Sequence, residues 1–218
     1  GNQFYKYENL ESGFNSIIQT DPTGYVIDYP GIWEMVYPLD NKSRVRNEFA
    51  SALYSEKVSG EIPAADDIYG WLVGSWKMEV YDFLPGGEKI KSEGEWLFTR
   101  VMEGRAIQDL FIVPRRSLRS EGIPIKGDRY GTSLRTFNKE DKLWRIHWHN
   151  PVNGAFNELF GKQENGDIVQ TGVDSEGNRI RWIFTDIKYD SFRWYGERSI
   201  DNGHTWIREV EFFGKKNK

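Results

Sequence analysis

Hydrophobic residues alternate with polar ones almost without interruption from Trp71 to Phe213, and turn-forming residues break the pattern roughly every 8 to 15 residues. Successive side chains of a strand point to opposite faces, so this pattern predicts strands with one buried face. No gap between consecutive strands from Tyr130 onward is long enough for a helical crossover, which predicts an antiparallel meander. About ten short strands are enough to close one barrel with an interior. We therefore predict a mainly β protein built as an antiparallel up-and-down β-barrel of about ten strands.

The turns that separate the strands contain residues suited to tight hairpins. Pro85-Gly86-Gly87 and Asp201-Asn202-Gly203 are two examples, and glycine after Asn or Asp supplies the positive φ that such turns need. The predicted strands lie near 73–82, 88–99, 104–114, 128–138, 142–150, 154–163, 166–173, 178–187, 190–199 and 204–213.

The first part of the chain has a different pattern. Leu10, Phe14, Ile17 and Ile18 have the spacing of an amphipathic helix, with Asn9 as its N-cap, and a second helix is predicted from about 42 to 57. Neither helix can bury its apolar stripe alone, so we expect both to pack on the barrel or on a second copy of the chain, forming a homodimer. The predicted domains are an N-terminal extension over 1–65 and the barrel over 66–218.

Composition excludes several classes of function. The 29 basic and 33 acidic side chains are mixed along the chain and give a net charge of −4, which argues against nucleic acid as a partner. The chain has no cysteine, which excludes disulfides, thiolate metal sites and a cysteine nucleophile. No apolar run approaches the ~18 residues of a membrane span. We expect a cytoplasmic protein, or a periplasmic one if a signal peptide was removed, with no cofactor.

The turn at Asp201 predicts which side chains of the last hairpin share a face. With Ile200 opposite Thr205, Glu197 pairs with Arg208 and Tyr195 pairs with Val210. We expect the face that carries Trp206, Val210 and Phe212 to be the inner one. This interpretation places Tyr195, Glu197 and Arg208 inside the barrel, either as an ion pair that ties the wall together or as a polar contact for a ligand.

The turn after Asn138 gives a second set of inward side chains. The same arithmetic places Arg135 opposite Trp144, on a face shared with Trp148 and Asn150, where we expect the guanidinium to stack on a tryptophan. A buried arginine needs an acidic partner or an anionic ligand. Asp109 and Glu158 alternate with apolar neighbours, so both are candidate inward carboxylates, as partners of an arginine or as a general base.

Two histidines fall on the opposite face of the same strand. His147 and His149 have the i, i+2 spacing that lets two side chains share a metal ion, but no acidic residue is placed to complete a tetrahedral set. Packing on a covered face or exposure to solvent is the alternative. No phosphate loop, dinucleotide fingerprint or Gly-x-Ser-x-Gly sequence is present.

Three stretches carry a resemblance to a known group of proteins: Trp71–Trp76, which contains Gly74-Ser75-Trp76, the hairpin from Gly131 to Trp148, and the turn Asp201–Trp206. The first is similar to the Gly-x-Trp entry of lipocalin-like, or calycin, barrels. Together they resemble a bacterial calycin-like family of unknown function, over about 68–213. The resemblance implies a calycin-like barrel that holds a small apolar molecule, and it implies no particular reaction.

Three functions follow from these expectations. The leading prediction is binding of a small hydrophobic or aromatic molecule, in a cavity lined by the candidates Arg135, Trp144, Trp148, Asn150, Tyr195, Glu197, Trp206 and Arg208. The second is a cofactor-independent isomerase, cyclase or lyase, with Asp109, Glu158, His147 or His149 as catalytic candidates. The third is a haem or metal carrier that uses His147 or His149. The long segment 114–128 is predicted to be a lid or a surface loop.

Overall fold

The computed structural model describes residues 3–9, 11–22, 24, 26–30, 33–34, 48–119 and 128–217. The chain divides into two compact units, Gly1–Phe49 and Ala50–Lys218. Among the described residues, no helix has the length and apolar character needed to cross a bilayer. The predicted domain limits, 1–65 and 66–218, and the predicted packing of the extension stay predictions.

The first unit contains a small antiparallel sheet. Its strands are β1 (Gln3–Glu8), β2 (Asn15–Thr20), β3 (Val26–Tyr29) and β4 (Trp33–Glu34), and each pairs with the next along the chain. The rings of Tyr7, Phe14 and Tyr29 meet with centroids 6.0 to 6.4 Å apart. These contacts give the small sheet an aromatic cluster of its own.

The helix predicted from Leu10 to Ile18 is wrong, because Asn15–Thr20 forms β2 and pairs with β1 in a hairpin. Leu10 itself lies outside the described residues. The side-chain oxygen of Asn9 accepts hydrogen bonds from the backbone N–H groups of Glu11 and Ser12, at 3.0 and 3.1 Å, and so builds a turn where we expected a helix cap. Gly13 takes a φ of +70°, which ends any helical path. The spacing of the apolar residues fitted a helix, but the turn chemistry decided the fold.

The second predicted helix, 42–57, lies partly outside the described residues, which begin again at 48. Residues 48–53 are helical. The helix ends earlier than expected because β5 (Tyr54–Ser55) pairs with Arg100 and Val101. Dimerisation through the N-terminal helices stays a prediction, although the first of the two is a hairpin.

Ten antiparallel strands close the barrel, as predicted. Each strand pairs with the next, the last pairs with the first, and the ring follows the order of the chain. The strands are β6 (Gly74–Phe83), β7 (Lys89–Val101), β8 (Ala106–Val113), β9 (Arg129–Asn138), β10 (Leu143–Asn150), β11 (Ala155–Glu164), β12 (Asp167–Val173), β13 (Arg179–Thr185), β14 (Ser191–Ser199) and β15 (Ile207–Lys216).

The last strand begins three residues later than the predicted start at 204, because the turn before it is longer than a simple hairpin. The carboxylate of Asp201 holds this turn. It accepts hydrogen bonds from the hydroxyl of Ser199 at 2.7 Å and from the backbone N–H and hydroxyl of Thr205 at 2.8 and 2.6 Å. These bonds lower the pKa of the Asp201 carboxyl well below its usual range.

One end of the barrel is filled by the segment that enters β6. Two short 3₁₀ helices, Ala64–Asp66 and Gly70–Leu72, lie there, and Tyr69 and Leu72 are fully buried in the core. The indole N–H of Trp76 donates to the carbonyl of Leu72 at 2.7 Å, and that of Trp144 donates to the carbonyl of Asp66 at 2.8 Å. The Trp71–Trp76 motif therefore has a structural role, which is to close this end. We call it the floor of the barrel.

Candidate functional site

A cavity of about 350 Å³ lies inside the barrel, away from the floor. It is lined by Trp96, Phe111, Arg129, Ser133, Arg135, Trp148, Asn150, Asn153, Ala155, Trp182, Trp194, Glu209, Val210 and Phe212. Asn153 belongs to the turn between β10 and β11, so this is the end opposite the floor, which we call the mouth. The lining comes from eight of the ten barrel strands, and we refer to the space as the lumen cavity.

Aromatic rings form most of the wall of the lumen cavity. Trp194 and Phe212 stack with centroids 4.4 Å apart and planes at 8°, and Phe111 also stacks with Phe212, with centroids 4.8 Å apart. Trp96 meets Phe111 edge-on at 5.2 Å. Stacked rings at these distances are well-ordered surfaces for a flat apolar molecule.

Arg135 is the charged group deepest in the wall. Only 1% of its surface is exposed, and its Nη1 donates to the carboxylate of Asp109 at 2.5 Å. Asp109 also accepts the backbone N–H of Ser133 at 2.8 Å. The inward orientation predicted for Arg135 and its pairing with Asp109 are both observed. This pair neutralises both charges where water is excluded.

The aromatic partners of Arg135 differ from those predicted. Its guanidinium lies over Tyr69 at 5.3 Å and Phe98 at 5.4 Å. Trp144 and Trp148 are not its partners, because Arg135 pairs with Ile146 and the register is shifted by two residues from the predicted one. Side chains alternate between the two faces of a strand, so a register shift of two residues leaves each side chain on its predicted face. The inward orientation of Arg135 was therefore predicted correctly although the register was not.

Trp144 therefore belongs to the floor and does not line the lumen cavity. Its ring packs edge-on against Tyr69 at 5.1 Å, and only 1% of its surface is exposed. Burial raises the pKa of the Tyr69 hydroxyl well above its usual value, and the positive charge of Arg135 opposes that shift only in part. Of the other predicted residues on this hairpin, Trp148 and Asn150 do line the cavity.

Arg129 is a second cation in the wall. Its two terminal nitrogens donate to the two carboxylate oxygens of Asp82, each at 2.9 Å. Glu209, the acidic residue of the lining, forms an ion pair with Arg198, with Oε1 and Nε 2.9 Å apart. Each of these charged groups in the described lining thus has a partner of opposite charge.

Several buried hydrogen-bond donors in this wall have no partner. They are the indole N–H groups of Trp96 and Trp194 and the Nε–H groups of Arg129 and Arg135. Among the described lining residues, all the buried side-chain atoms left without a partner are donors. A buried donor without a partner costs about 1–3 kcal/mol. A hydrogen-bond acceptor that reached these donors would therefore stabilise the wall.

The inward orientation predicted for Tyr195, Glu197 and Arg208 is wrong. Glu197 does pair with Arg208, as predicted, but Tyr195 pairs with Glu211 because a β-bulge follows Gly196 and adds one residue to β15. Trp194 and Val210 line the lumen cavity, so Tyr195 and Glu197 point to the outer face. The pairing predicted from the turn is correct as far as the bulge. Val210 and Phe212, beyond the bulge, face inward as predicted, but the extra residue at the bulge puts Arg208 and its partner Glu197 on the outer face.

These outer side chains form a row of alternating charges, which we call the outer ladder: Arg181, Glu197, Arg208, Glu211 and Arg193. Glu197 accepts from Arg181 at 2.6 Å and from Arg208 at 2.8 Å, while Glu211 accepts from Arg193 at 2.5 Å and Arg208 at 3.3 Å. The guanidinium of Arg208 lies 3.7 Å from the Tyr195 ring centroid. The ladder ties three strands together from outside.

Trp206 lies outside the lumen cavity too, where the Arg181 guanidinium covers it at 4.1 Å. It lines an open groove of about 920 Å³ on the other side of the wall, together with Phe156, Phe160 and Val173. Those three side chains are between 38% and 59% exposed. The groove is wide and open to water, whereas the lumen cavity has stacked aromatic walls and buried polar groups.

The remaining catalytic candidates also lie on the outside. Nε2 of His147 and Oε1 of Glu158 are 3.1 Å apart, and about half of the Glu158 side chain is exposed. His149 packs against Phe156 with centroids 4.9 Å apart. The outer face predicted for the two histidines is observed, but an inward Glu158 is wrong. Within the part of the chain described, no group of three or more His, Cys, Asp or Glu side chains is arranged to hold a metal ion.

The segment after β8 is anchored at both ends near the mouth. The guanidinium of Arg119 bonds to the carboxylate of Asp128 and donates to the carbonyls of Val113, Pro114 and Arg129 at 2.9 to 3.2 Å. Residues 120–127 lie outside the described residues, and whether 114–128 is a lid stays a prediction.

Eleven of the fourteen residues in the described lining were not among the predicted ligand contacts, and the largest of these are Trp96, Phe111, Arg129, Trp182, Trp194 and Phe212. Phe212 was placed inward but not at the site. Trp182 and Trp194 each alternate with an arginine neighbour, a signal that fixes two faces without telling which is inside.

Comparison with known proteins gives a distant likeness in fold. No family model matches the chain, and no curated protein matches it. The S-type phycobiliprotein lyase CPES from Guillardia theta is similar over 72% of this chain and 94% of its own, with 12% identity and a TM-score of 0.48. Rv2717c from M. tuberculosis is similar over 72% of this chain and 99% of its own, with 11% identity and a TM-score of 0.47. These sequences are too different for the likeness to bear on what this chain binds.

Proposed function

We propose that this protein binds a small, flat, hydrophobic or aromatic molecule in the lumen cavity. One observation carries the proposal: a space of about 350 Å³ walled by stacked aromatic rings lies inside the barrel at its mouth. Ligand pockets are commonly lined in this way, with a few polar groups that orient the ligand. The buried Arg135–Asp109 pair takes the polar role that the sequence assigned to Glu197 and Arg208.

The outer groove supports binding less well. Phe156 and Val173 in the groove are 53% and 59% exposed, whereas Trp96 and Trp194 of the lumen cavity are 4% and 5% exposed. A ligand in the groove therefore has fewer buried rings to pack against. The lumen cavity also holds buried polar groups with unmet hydrogen bonds. A ligand enclosed there gains both apolar burial and a polar contact.

The proposal is tested with a neutral fluorescent probe, N-phenylnaphthylamine, titrated into the protein. Val210→Phe adds an aromatic ring to the lumen cavity, whereas Val173→Phe makes the same change on the wall of the outer groove. We expect wild type and Val173→Phe to bind the probe equally. Val210→Phe should weaken binding by about tenfold or more, which corresponds to about 1.4 kcal/mol.

Circular dichroism and thermal unfolding serve as the fold control for both variants. Loss of binding in Val173→Phe with retention in Val210→Phe would move the site to the outer groove. Absence of probe binding by the folded wild-type protein would contradict the proposal altogether.

The acid–base enzyme receives no separate support from the named carboxylates. Asp109 is held between Arg135 and a backbone N–H, Glu197 belongs to the outer ladder, and Glu158 faces water. None of these three stands in the lumen cavity as a free base.

A further inference from the structure

We infer that the ligand of the lumen cavity presents a neutral hydrogen-bond acceptor, such as a ketone, quinone or amide carbonyl, on an aromatic body. The inference rests on the proposed function and specifies the chemical class of the ligand. It follows from the kind of polar groups that the wall leaves without partners and from the balance of charge around them.

The buried polar atoms that the described wall leaves without a partner are all donors. Trp96 and Trp194 line the cavity, are 4% and 5% exposed, and have buried indole N–H groups without a partner. An indole N–H donates only, and so does the unpartnered Nε–H of Arg135, which is 1% exposed. A ligand atom with lone pairs that reaches these donors satisfies them. A ligand hydroxyl or amine hydrogen would instead pair with an oxygen of the lining, such as that of Ser133 or Asn150, and would leave the donors unpartnered.

Charge then distinguishes a neutral acceptor from an anion. Arg135 is paired with Asp109, and Arg129 is paired through both terminal nitrogens with Asp82. Glu209 at the lining is paired with Arg198. The described wall therefore has no cation left over to neutralise a carboxylate, and a buried charge without a counter-charge is strongly disfavoured.

The placement of the donors also fits a flat molecule. Trp194 stacks on Phe212, and Trp96 is in ring contact with Phe111, so each donor belongs to a ring that also forms the apolar wall. A ligand in contact with these rings has its edge near indole N–H groups. An aromatic ketone or quinone combines the flat body with an acceptor at that edge.

Three isosteric probes test the inference by isothermal titration calorimetry: methyl naphthyl ketone, isopropenylnaphthalene and naphthoate, all substituted at the same ring position. The ketone oxygen is replaced by a methylene group in the second and accompanied by a negative charge in the third. We expect the ketone to bind about tenfold or more tightly than either of the others, since the site's donors stay unpartnered with the alkene.

The source of the preference is tested with Trp194→Phe and Trp96→Phe, which keep an aromatic ring and remove the donor. Trp206→Phe is the matched control, because Trp206 lies outside the lumen cavity and lines the outer groove. We expect the ratio of ketone to alkene affinity to fall in the first two variants and to be unchanged in the control.

The outcomes separate this inference from the proposed function. Equal binding of ketone and alkene would overturn the inference while leaving the lumen cavity as a hydrophobic site. Tighter binding of naphthoate than of the ketone would also overturn it, in favour of an anionic ligand. If none of the three binds to the folded protein, the proposed function itself fails.

Discussion

The barrel wall carries two sets of arginine–carboxylate pairs, one on each face. Inside, the side chains of Arg135 and Asp109 are at most 1% exposed, and Nη1 of Arg135 donates to the Asp109 carboxylate. Outside, the arginines of the outer ladder are 27% to 35% exposed, and they share two glutamates whose side chains are 8% and 11% exposed. Burial changes how much the same kind of ion pair contributes to stability. Removing one partner of the inner pair leaves a buried charge without a counter-charge, whereas an arginine of the outer ladder that loses one contact still has water around it.

The largest expected effect comes from breaking the inner pair. Asp109→Asn leaves the Arg135 guanidinium buried without a counter-charge, so we expect the free energy of unfolding to fall by about 3–5 kcal/mol. Urea denaturation followed by tryptophan fluorescence measures it. Joint replacement, Asp109→Leu with Arg135→Met, should recover much of the loss because it removes both charges. A loss below about 1 kcal/mol in Asp109→Asn would show that the interior is wetter than the structure indicates.

A smaller effect is expected from the outer ladder. Glu197→Gln keeps the shape of the side chain and removes the charge that Arg181 and Arg208 share. We expect a loss of about 1 kcal/mol, since both arginines stay in contact with water. The same urea titration measures it. A loss of unfolding free energy as large as that of Asp109→Asn would show that ion pairs on the two faces contribute equally to stability, against the expected difference.

High salt should reduce the stability contribution of the outer ion pairs more than that of the inner pair. Going from about 0.1 M to about 1 M salt shortens the Debye length from about 10 Å to about 3 Å, which weakens exposed ion pairs and leaves buried ones nearly untouched. The cost of Glu197→Gln is therefore expected to shrink in high salt, and the cost of Asp109→Asn to stay. The paired unfolding curves of wild type and each variant provide the measurement. An equal salt response would contradict the assignment of Glu197 to the outside.

The smallest effect concerns the turn that connects β14 to β15. The pKa of Asp201 is lowered by hydrogen bonds from the side chain and backbone of Thr205 and from Ser199. A lowered pKa means that the ionised carboxylate stabilises the fold at neutral pH, and that this contribution fades as the pH falls below about 4. Asp201→Asn should thus be less stable than wild type at neutral pH, with the difference narrowing under acid. Thermal unfolding across this range tests the trend, and a difference that widens in acid would refute it.

The barrel was predictable because alternation and short turns leave few other topologies, and the strands fell close to their expected ends. The Arg135 side of the site followed as well, since a register error of two residues returns the same face. The face of Glu197 and Arg208 could not be predicted, because the bulge after Gly196 moves both side chains to the outer face and the hydrophobic pattern of the sequence does not reveal the bulge. The hairpin at Asn9 was missed for a related reason: a cap and an Asx turn use the same residue.

The lumen itself is a property of the closed ring that single-strand patterns do not contain. Trp96 comes from β7 and Trp194 from β14, and they meet at 6.1 Å only because the sheet closes. The identity of the wall therefore depends on contacts between residues far apart in sequence, which the periodicity of each strand leaves open.

The most direct test is a crystal structure of the protein with methyl naphthyl ketone bound. We expect the naphthyl body to lie among Trp96, Phe111, Trp194 and Phe212. The carbonyl oxygen should lie within hydrogen-bond distance of an indole N–H of Trp96 or Trp194 or of the Nε–H of Arg135. Density for the ketone in the outer groove beside Trp206, or a lumen that stays closed to it at saturating concentration, would contradict the account.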